Sequence, residues 1–287
     1  MRLTSVFLIF ALLIAACTTA ESEETTTTTA PPTTTTTTEA DDMPACLAGE
    51  LPFVEEGTVA ALDSPGRDAR AIAGLRWNPL EGCERVEIGF LSATGAPATR
   101  IGPVGISMLS DAGIVRIALS EDIVESAVAD STLNGTLVDK WFVVEDSEDG
   151  LNVDIHLNAR AAARAFMTTS PARLVIDLRG ADDDRPLAAP LSGGGIVLLS
   201  PQAGVGLYPL QVAGYAAPEV DAVRLRLTDL ADITIDRAVS TLSSTHVWRA
   251  FSAALNDGPA GSVLLLAGTA NEVGEPVFGI EVPLDLP

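Results

Sequence analysis

Catalysis needs a nucleophile with a base beside it, a titrating pair or a set of metal ligands, and this chain offers few candidates for any of these. Its two histidines, His156 and His246, fall in different halves of the chain. His156 alternates with Ile155 and Leu157 beside Asp154, which places an acid–histidine pair on the wet face of a strand. His246, close to Trp248, reads as a packing or turn residue. Ser192 stands before Gly193-Gly194-Gly195 and makes no Gly-x-Ser-x-Gly elbow, and Lys140, the only lysine, completes no Ser-x-x-Lys pair. The acidic run Glu145-Asp146-Ser147-Glu148-Asp149-Gly150 invites a calcium reading. With Gly150 as the sixth loop position, however, the twelfth is His156, where calcium needs a bidentate glutamate, and strands rather than helices flank the run. Asp182-Asp183-Asp184 reads as solvated chain. Arg85 and Arg173 are the weak candidates for contacts with an anionic polymer, against pairing with an acid such as Glu84 or Asp177. No catalytic residue, metal site or cofactor is expected.

The thiols carry more information. Cys17 follows Arg2, an apolar run from Val6 to Ile14, and Ala15-Ala16, the order of a bacterial lipoprotein signal. The run is too short to span a bilayer by itself. Residues 1–16 are therefore expected to be removed, and Cys17 to carry lipid that holds the chain on the membrane outside the cytoplasm. An ordinary secretory signal with an incidental cysteine is the other reading. Cys46 and Cys83 remain, an even pair in an oxidising compartment, where a disulfide is the default. It would close a loop of about 38 residues, worth roughly 3 to 4 kcal/mol in the chain-entropy account. Metal binding is the weaker reading, because no Cys-x-x-Cys or paired histidine accompanies the two thiols.

Residues 17–45 read as a tether. Thr25 to Thr29, Ala30-Pro31-Pro32 and Thr33 to Thr38 offer too little apolar surface to offset the entropy of ordering. About 28 residues of coil reach roughly 30 Å, and roughly 85 Å when stretched towards polyproline II. Attached sugars would favour the longer figure. The formal charge is −22, so nucleic acid and anionic head groups are repelled. The membrane is contacted through lipid instead.

Residues 46–287 carry the folded mass, a length that favours two domains and leaves one large β-domain open. Apolar and polar residues alternate at Val86-Phe90, Val115-Leu119 and Leu151-Leu157, the pattern of half-buried strands with one wet face. Trp141–Val144 and Leu151–Leu157 flank the acidic run as a hairpin. The alanine-rich stretch 158–166 predicts a short helix capped by Asn158. Arg173–Leu178 is a closing strand. Residues 181–195 read as a solvated linker, with Asp182-Asp183-Asp184-Arg185-Pro186 and Ser192-Gly193-Gly194-Gly195 at its ends. Beyond it, 196–199, 210–214, 220–227, 233–239, 247–255, 263–267 and 276–284 make about seven strands, the count of an immunoglobulin-like sandwich.

Two resemblances attach to these halves. Gly82-Cys83-Glu84-Arg85-Val86 and Pro171-Ala172-Arg173-Leu174-Val175-Ile176-Asp177 make residues 46–180 similar to the AMIN-like domain of lipoproteins from high-GC bacteria, a group related to modules of cell-wall amidases and secretins. Ser200-Pro201-Gln202-Ala203-Gly204, Pro209-Leu210-Gln211-Val212-Ala213-Gly214, Glu219 and Trp248-Arg249-Ala250-Phe251 make residues 196–287 resemble the immunoglobulin-like module of bacterial spore-germination lipoproteins. Pro218 stands where that family tends to carry an aromatic residue. The resemblance implies extracytoplasmic β-sandwiches; it does not imply that the source makes spores.

The expected fold is thus mainly β: two β-sandwich domains, AMIN-like then immunoglobulin-like, behind a disordered tether. The expected function is that of a non-enzymatic envelope lipoprotein whose domains bind cell-wall polymer (peptidoglycan) or an envelope partner protein. A purely structural assembly subunit and an uncharacterised wall hydrolase are the other readings. An aromatic content of 5% argues against a broad sugar-stacking platform, which leaves polar contacts and strand edges as the means of recognition. Cys17→Ala should release the protein from membranes or stall its processing; unchanged partitioning of that variant into the detergent phase would refute lipid anchoring.

Overall fold

A computed structural model describes residues 46–147, 150–229, 234–240, 246–271 and 273–287. The expected signal, the expected lipid attachment at Cys17 and the expected tether lie outside the described residues.

The described chain is mainly β, with no helix. Its first half holds β1 (Gly57–Leu62), β2 (Ala69–Leu80), β3 (Cys83–Ser92), β4 (Val104–Leu109), β5 (Ile114–Ala118), β6 (Glu125–Ser126), β7 (Asp130–Thr132), β8 (Val138–Asp146), β9 (Gly150–Leu157), β10 (Ala161–Thr168) and β11 (Arg173–Gly180). Its second half holds β12 (Leu191–Gly193), β13 (Ile196–Ser200), β14 (Gly204–Val205), β15 (Leu210–Ala216), β16 (Ala222–Asp229), β17 (Thr234–Ser240), β18 (Trp248–Leu255), β19 (Gly261–Ala270) and β20 (Pro276–Leu286). Each of the seven strands expected after the linker has its counterpart here, as does the β8–β9 hairpin.

One ten-stranded sheet runs β1-β4-β5-β9-β8-β18-β15-β13-β12, with β7 paired to β8 off that path. Five-stranded sheets β10-β11-β3-β2-β6 and β14-β20-β19-β16-β17 cover its two ends. Over the first half, Ile72, Val86, Ile88, Leu174 and Ile176 meet Ile106, Val115, Ile117, Val153 and Ile155 in one apolar core. Over the second half, Leu198, Val212, Phe251 and Leu255 meet Val223, Leu225, Leu265, Ile280 and Val282 in another. The long sheet crosses from half to half where β18 joins β8 in parallel, Trp248 opposite Val144 and Arg249 opposite Glu145. A third, smaller cluster sits on this seam: Phe142, Val144, Val197 and Tyr215.

One expectation is corrected. The helix expected over 158–166 is strand β10, paired residue for residue with β11 from Ala161↔Gly180 to Thr168↔Arg173. Alanine favours a helix in an isolated segment, but tertiary packing overrides so weak a preference. Ala161, Ala162, Ala163 and Ala165 are all buried, and the small side chains let the incoming segment cross closely enough for Val54 and Ala163 to exchange backbone hydrogen bonds at 2.8 and 2.9 Å. Residues 181–195 are mostly exposed, and a few contacts hold them to the first half. Leu187 packs on the first core, Ala188 N donates to the Asp111 carbonyl at 2.9 Å, and Arg160 Nε donates to the Arg185 carbonyl at 3.0 Å. The glycine run after it makes a tight turn, with φ of 57° at Gly194 and 75° at Gly195. Gly193 crosses so near the Gly279 backbone that a Cβ there would collide with it.

Cys46 and Cys83 are joined in a disulfide, both buried, which ties the first described residue to the start of β3. Replacing both cysteines by serine should lower the unfolding free energy by roughly 3 to 4 kcal/mol. A denaturant titration of the double variant checks this, and an unchanged midpoint would contradict it.

Candidate functional site

Strand β9 has two kinds of face. Leu151, Val153, Ile155 and Leu157 point into the first core, as period-two alternation requires. Asn152, Asp154 and His156 point the other way. That face was expected to be wet, and it is not: Asp154 is 0%, His156 3% and Asn152 7% exposed. The second half covers it.

The covering is achieved by curvature. Strands β8 and β18 lie between β9 and β15, and three strand spacings would set β9 and β15 about 14 Å apart in a flat sheet. Yet the Tyr215 hydroxyl, on β15, donates a hydrogen bond to Asp154 Oδ2. The sheet is therefore not flat between β9 and β15, and the two halves approach each other over this face. Arg116 stands opposite Asp154 on β5 and grips it in a fork, Nε to Oδ1 at 2.9 Å and Nη2 to Oδ2 at 2.7 Å. The same Nη2 donates to the Tyr215 oxygen at 3.0 Å. Burial pushes the Asp154 carboxyl above its usual value, and the Arg116 guanidinium pulls it back.

Aromatic rings seal one side of this network. Phe142 meets His156 edge-on at 4.9 Å and Trp248 edge-on at 4.8 Å between ring centres. Trp248 Nε1 donates to Asp130 Oδ2 at 2.5 Å, fastening β18 to β7. His156 Nε2 is buried and meets no hydrogen-bond partner among the described residues. Burial first, and the positive charges of Lys140 and Arg116 second, lower the imidazole pKa to about 3. A ring sealed in this way neither exchanges protons with a ligand nor pairs with solvent. The expectation of an exposed acid–histidine pair is thus corrected: both residues are core of the seam.

On the other side the seam opens as a cleft of about 470 Å³. Arg116, Asn152, Asp154 and Tyr215 contribute its polar depth, Leu199, Val239 and Ala250 its apolar wall, and Glu145, Ser147 and Ser252 its rim. Arg249, from Trp248-Arg249-Ala250-Phe251, reaches back from this region. Its Nη2 donates to the carbonyls of Pro218 at 3.1 Å and Val220 at 2.5 Å, pinning the loop that carries Pro218 and Glu219.

The sequence candidates lie elsewhere and are already engaged. Arg85 forks onto the fully buried Asp177, Nε to Oδ1 at 2.6 Å and Nη2 to Oδ2 at 3.0 Å, and Arg164 adds a second pair to the same carboxylate at 3.1 Å. Arg164 Nη2 also donates to the carbonyls of Cys46 at 2.8 Å and Ala48 at 2.6 Å. Arg173 pairs with Glu87 at 3.0 Å. Glu84 is buried and accepts from Trp77 Nε1 at 2.8 Å, Leu137 N at 2.7 Å and Val138 N at 3.0 Å. The first-half motif thus holds strands together. His246 is exposed, just ahead of β18. Among the described residues no group of three or more His, Cys, Asp or Glu side chains stands together as a metal site.

Sequence reasoning missed the cleft, including Asn152, Tyr215 and Ser252. One signal was present: Arg116 alternates with Val115 and Ile117 on the same strand face that would carry Asp154 on its neighbour. Comparison with protein-family models, curated proteins and solved structures finds no match for the chain.

The sealed imidazole has a pH signature. Its pKa falls from 6.5 unfolded to about 3 folded, so between those values only the unfolded chain binds the proton. Its contribution is present in full above pH 6.5 and is lost as pH falls towards 3, up to roughly 5 kcal/mol at about 1.4 kcal/mol per unit. The raised Asp154 acts with the opposite sign. His156→Leu should flatten the loss of stability between pH 6 and 4, measured by chemical denaturation at each pH. An unchanged slope would show that the ring is not sealed.

Proposed function

We propose that the chain is a non-enzymatic lipoprotein of the cell envelope that binds cell-wall polymer through a cleft between its two halves. In this reading Cys17 carries the lipid and residues 17–45 form the tether. Residues 46–180 are the AMIN-like β-sandwich, and 196–287 are the immunoglobulin-like β-sandwich of spore-germination type, joined by 181–195.

The observation that carries the proposal is the seam cleft itself. Its volume falls within the range of sites that take small ligands, and its polar groups are preset, because Arg116, Asp154 and Tyr215 hold one another in place. Its chemistry suits recognition rather than turnover. The one nearby imidazole is sealed behind Phe142, and the carboxylate is locked in a fork. A lipid anchor and a long acidic, threonine-rich tether would place such a cleft among wall polymers, clear of the membrane surface. A second reading, an assembly subunit that contacts protein partners, draws support from Val205 at the end of β14 and Leu207 just after it, 87% and 69% exposed.

Retention of the full chain on purified peptidoglycan sacculi tests the proposal. Ser252 is exposed on the cleft rim, so Ser252→Trp should block the cleft without touching either core. Retention is expected to fall at least fivefold in that variant with the melting temperature unchanged, and to persist in His246→Ala. Absence of retention by the unsubstituted chain favours the assembly reading, and release of soluble wall fragments would promote the hydrolase reading.

A further inference from the structure

Strand β18 is paired with β15 from Arg249 to Leu255, but its pairing with β8 on the other side stops at Trp248 and Arg249. From there the two parallel strands part. Glu145, Asp146 and Ser147 line one wall of the cleft and Ala250, Phe251 and Ser252 another, so the cleft lies in the fork between them. In an antiparallel ladder alternate residues turn both main-chain groups to the partner strand, and the residues between turn both away. The Ala254 carbonyl accepts from Arg237 Nη1 of β17, in another sheet, at 2.5 Å, so it points away from β15. Ser252, two residues earlier, points the same way and is exposed. Among the described residues no strand pairs with this edge beyond Arg249.

We infer that the β18 edge takes an added strand, an extended segment of a partner protein in which basic and apolar residues alternate. This goes beyond the wall-binding reading, since a strand and a polymer would compete for one cleft. Outward main-chain groups recurring every second residue, roughly 7 Å apart, are the complement of another extended backbone. Proteins blunt a strand edge that must stay unpaired with lysine, proline or an inward charge. None of these guards this one. Ala250, Ser252 and Ala254 are small and uncharged, and Arg249 is turned to the carbonyls of Pro218 and Val220.

The chemistry of the occupant follows from what its two faces would meet. One face of the added strand lies toward Val239 and Phe251, at the margin of the second core, and takes apolar side chains. The other lies on the side of Asn152 and Ser252, where the wall is polar and Asp146 stands beside it. The β8 wall brings two acids, Glu145 and Asp146, while Asp154 already balances Arg116. With −22 on the chain as a whole, a cationic segment is drawn to the fork and an acidic one is repelled.

The test is an NMR titration of the full chain with the peptide acetyl-Lys-Val-Lys-Val-Lys-Val-amide, read together with amide hydrogen exchange. Binding is expected to slow exchange of the Ser252 N–H at least tenfold and to leave Phe251 and Ala253, which face β15, unchanged. Two further peptides carry N-methyl groups on the three lysines or on the three valines. One set is expected to weaken binding at least tenfold and the other to leave it within twofold, because only one edge of the peptide meets β18. The counterpart with glutamate in place of lysine should bind at least tenfold more weakly. Ser252→Pro removes the outward N–H without touching the bonds to β15, and should lose binding at least tenfold; if that variant does not fold, the N-methyl pair on the unsubstituted chain decides. Equal effects of the two N-methyl sets, no protection of Ser252, or equal binding of the glutamate peptide would overturn the inference. So would self-association of the full chain that Ser252→Pro abolishes, which would make a second copy the occupant. Retention on sacculi without peptide binding would overturn this inference alone, whereas peptide binding without retention would leave it standing and remove the wall-binding reading.

Discussion

Burying the Asp154 carboxylate where two halves of a chain meet is the constraint around which the rest of this molecule is arranged. An ionised carboxylate withdrawn from water is costly unless it is paired and hydrogen-bonded, and losing one partner of such a pair costs about 3 to 5 kcal/mol. Asp154 meets that demand from both halves at once, with Arg116 of β5 on its own side and Tyr215 of β15 from across the seam. The second half must therefore sit where Tyr215 reaches β9, and the cleft opens beside that contact. Apolar contacts of Phe142, Val144, Val197 and Tyr215 add the non-directional part of the joint, while the hydrogen bonds set its register.

A second buried carboxylate does comparable work at the other end of the first half. Asp177 collects Arg85 and Arg164, and Arg164 extends the network to the carbonyls of Cys46 and Ala48. With the Cys46–Cys83 disulfide, this fastens the start of the described chain to β3 and β11. Under the proposed anchoring, a pull on the tether is thus delivered to central strands of a sheet rather than to an edge that could peel. The Asp177 network consumes Arg85, and Glu87 takes Arg173, the two charges that the sequence offers as ligand contacts. An arginine opposite an aspartate on paired strands is more often spent inside the protein than presented to a partner.

Much of the architecture was legible in the order of residue types. Alternation located the strands of the first half around 86–90, 115–119 and 151–157, and all seven strands of the second, because period-two burial is a local property of extended backbone. Two thiols left in one segment pointed to the disulfide. The stretch 158–166 was misread for an equally local reason: its alanines favour a helix in isolation, and only the crossing of the 46–56 segment and the pairing with β11 make them a strand. The contacts that hold the exposed segment 181–195 were not legible, because the polarity of Asp182 to Asp184 does not reveal that Leu187 packs on the first core and that Ala188 bonds to Asp111.

The sequence by itself determined the class of the fold, the strand positions and the cysteine pair, since each depends on residues that are neighbours in the chain or unique in it. Tertiary structure alone decided that the polar face of β9 is covered, that His156 is sealed, and that Asn152 opens on a cleft with Tyr215 and Ser252. The physical reason lies in the range of the signal. Alternation states which side chains share a face, and nothing within a strand states what that face meets. That answer came from β15 and β18, some sixty to a hundred residues further along the chain. They are brought there by two register pairs with β8 and by one tyrosine reaching a buried carboxylate.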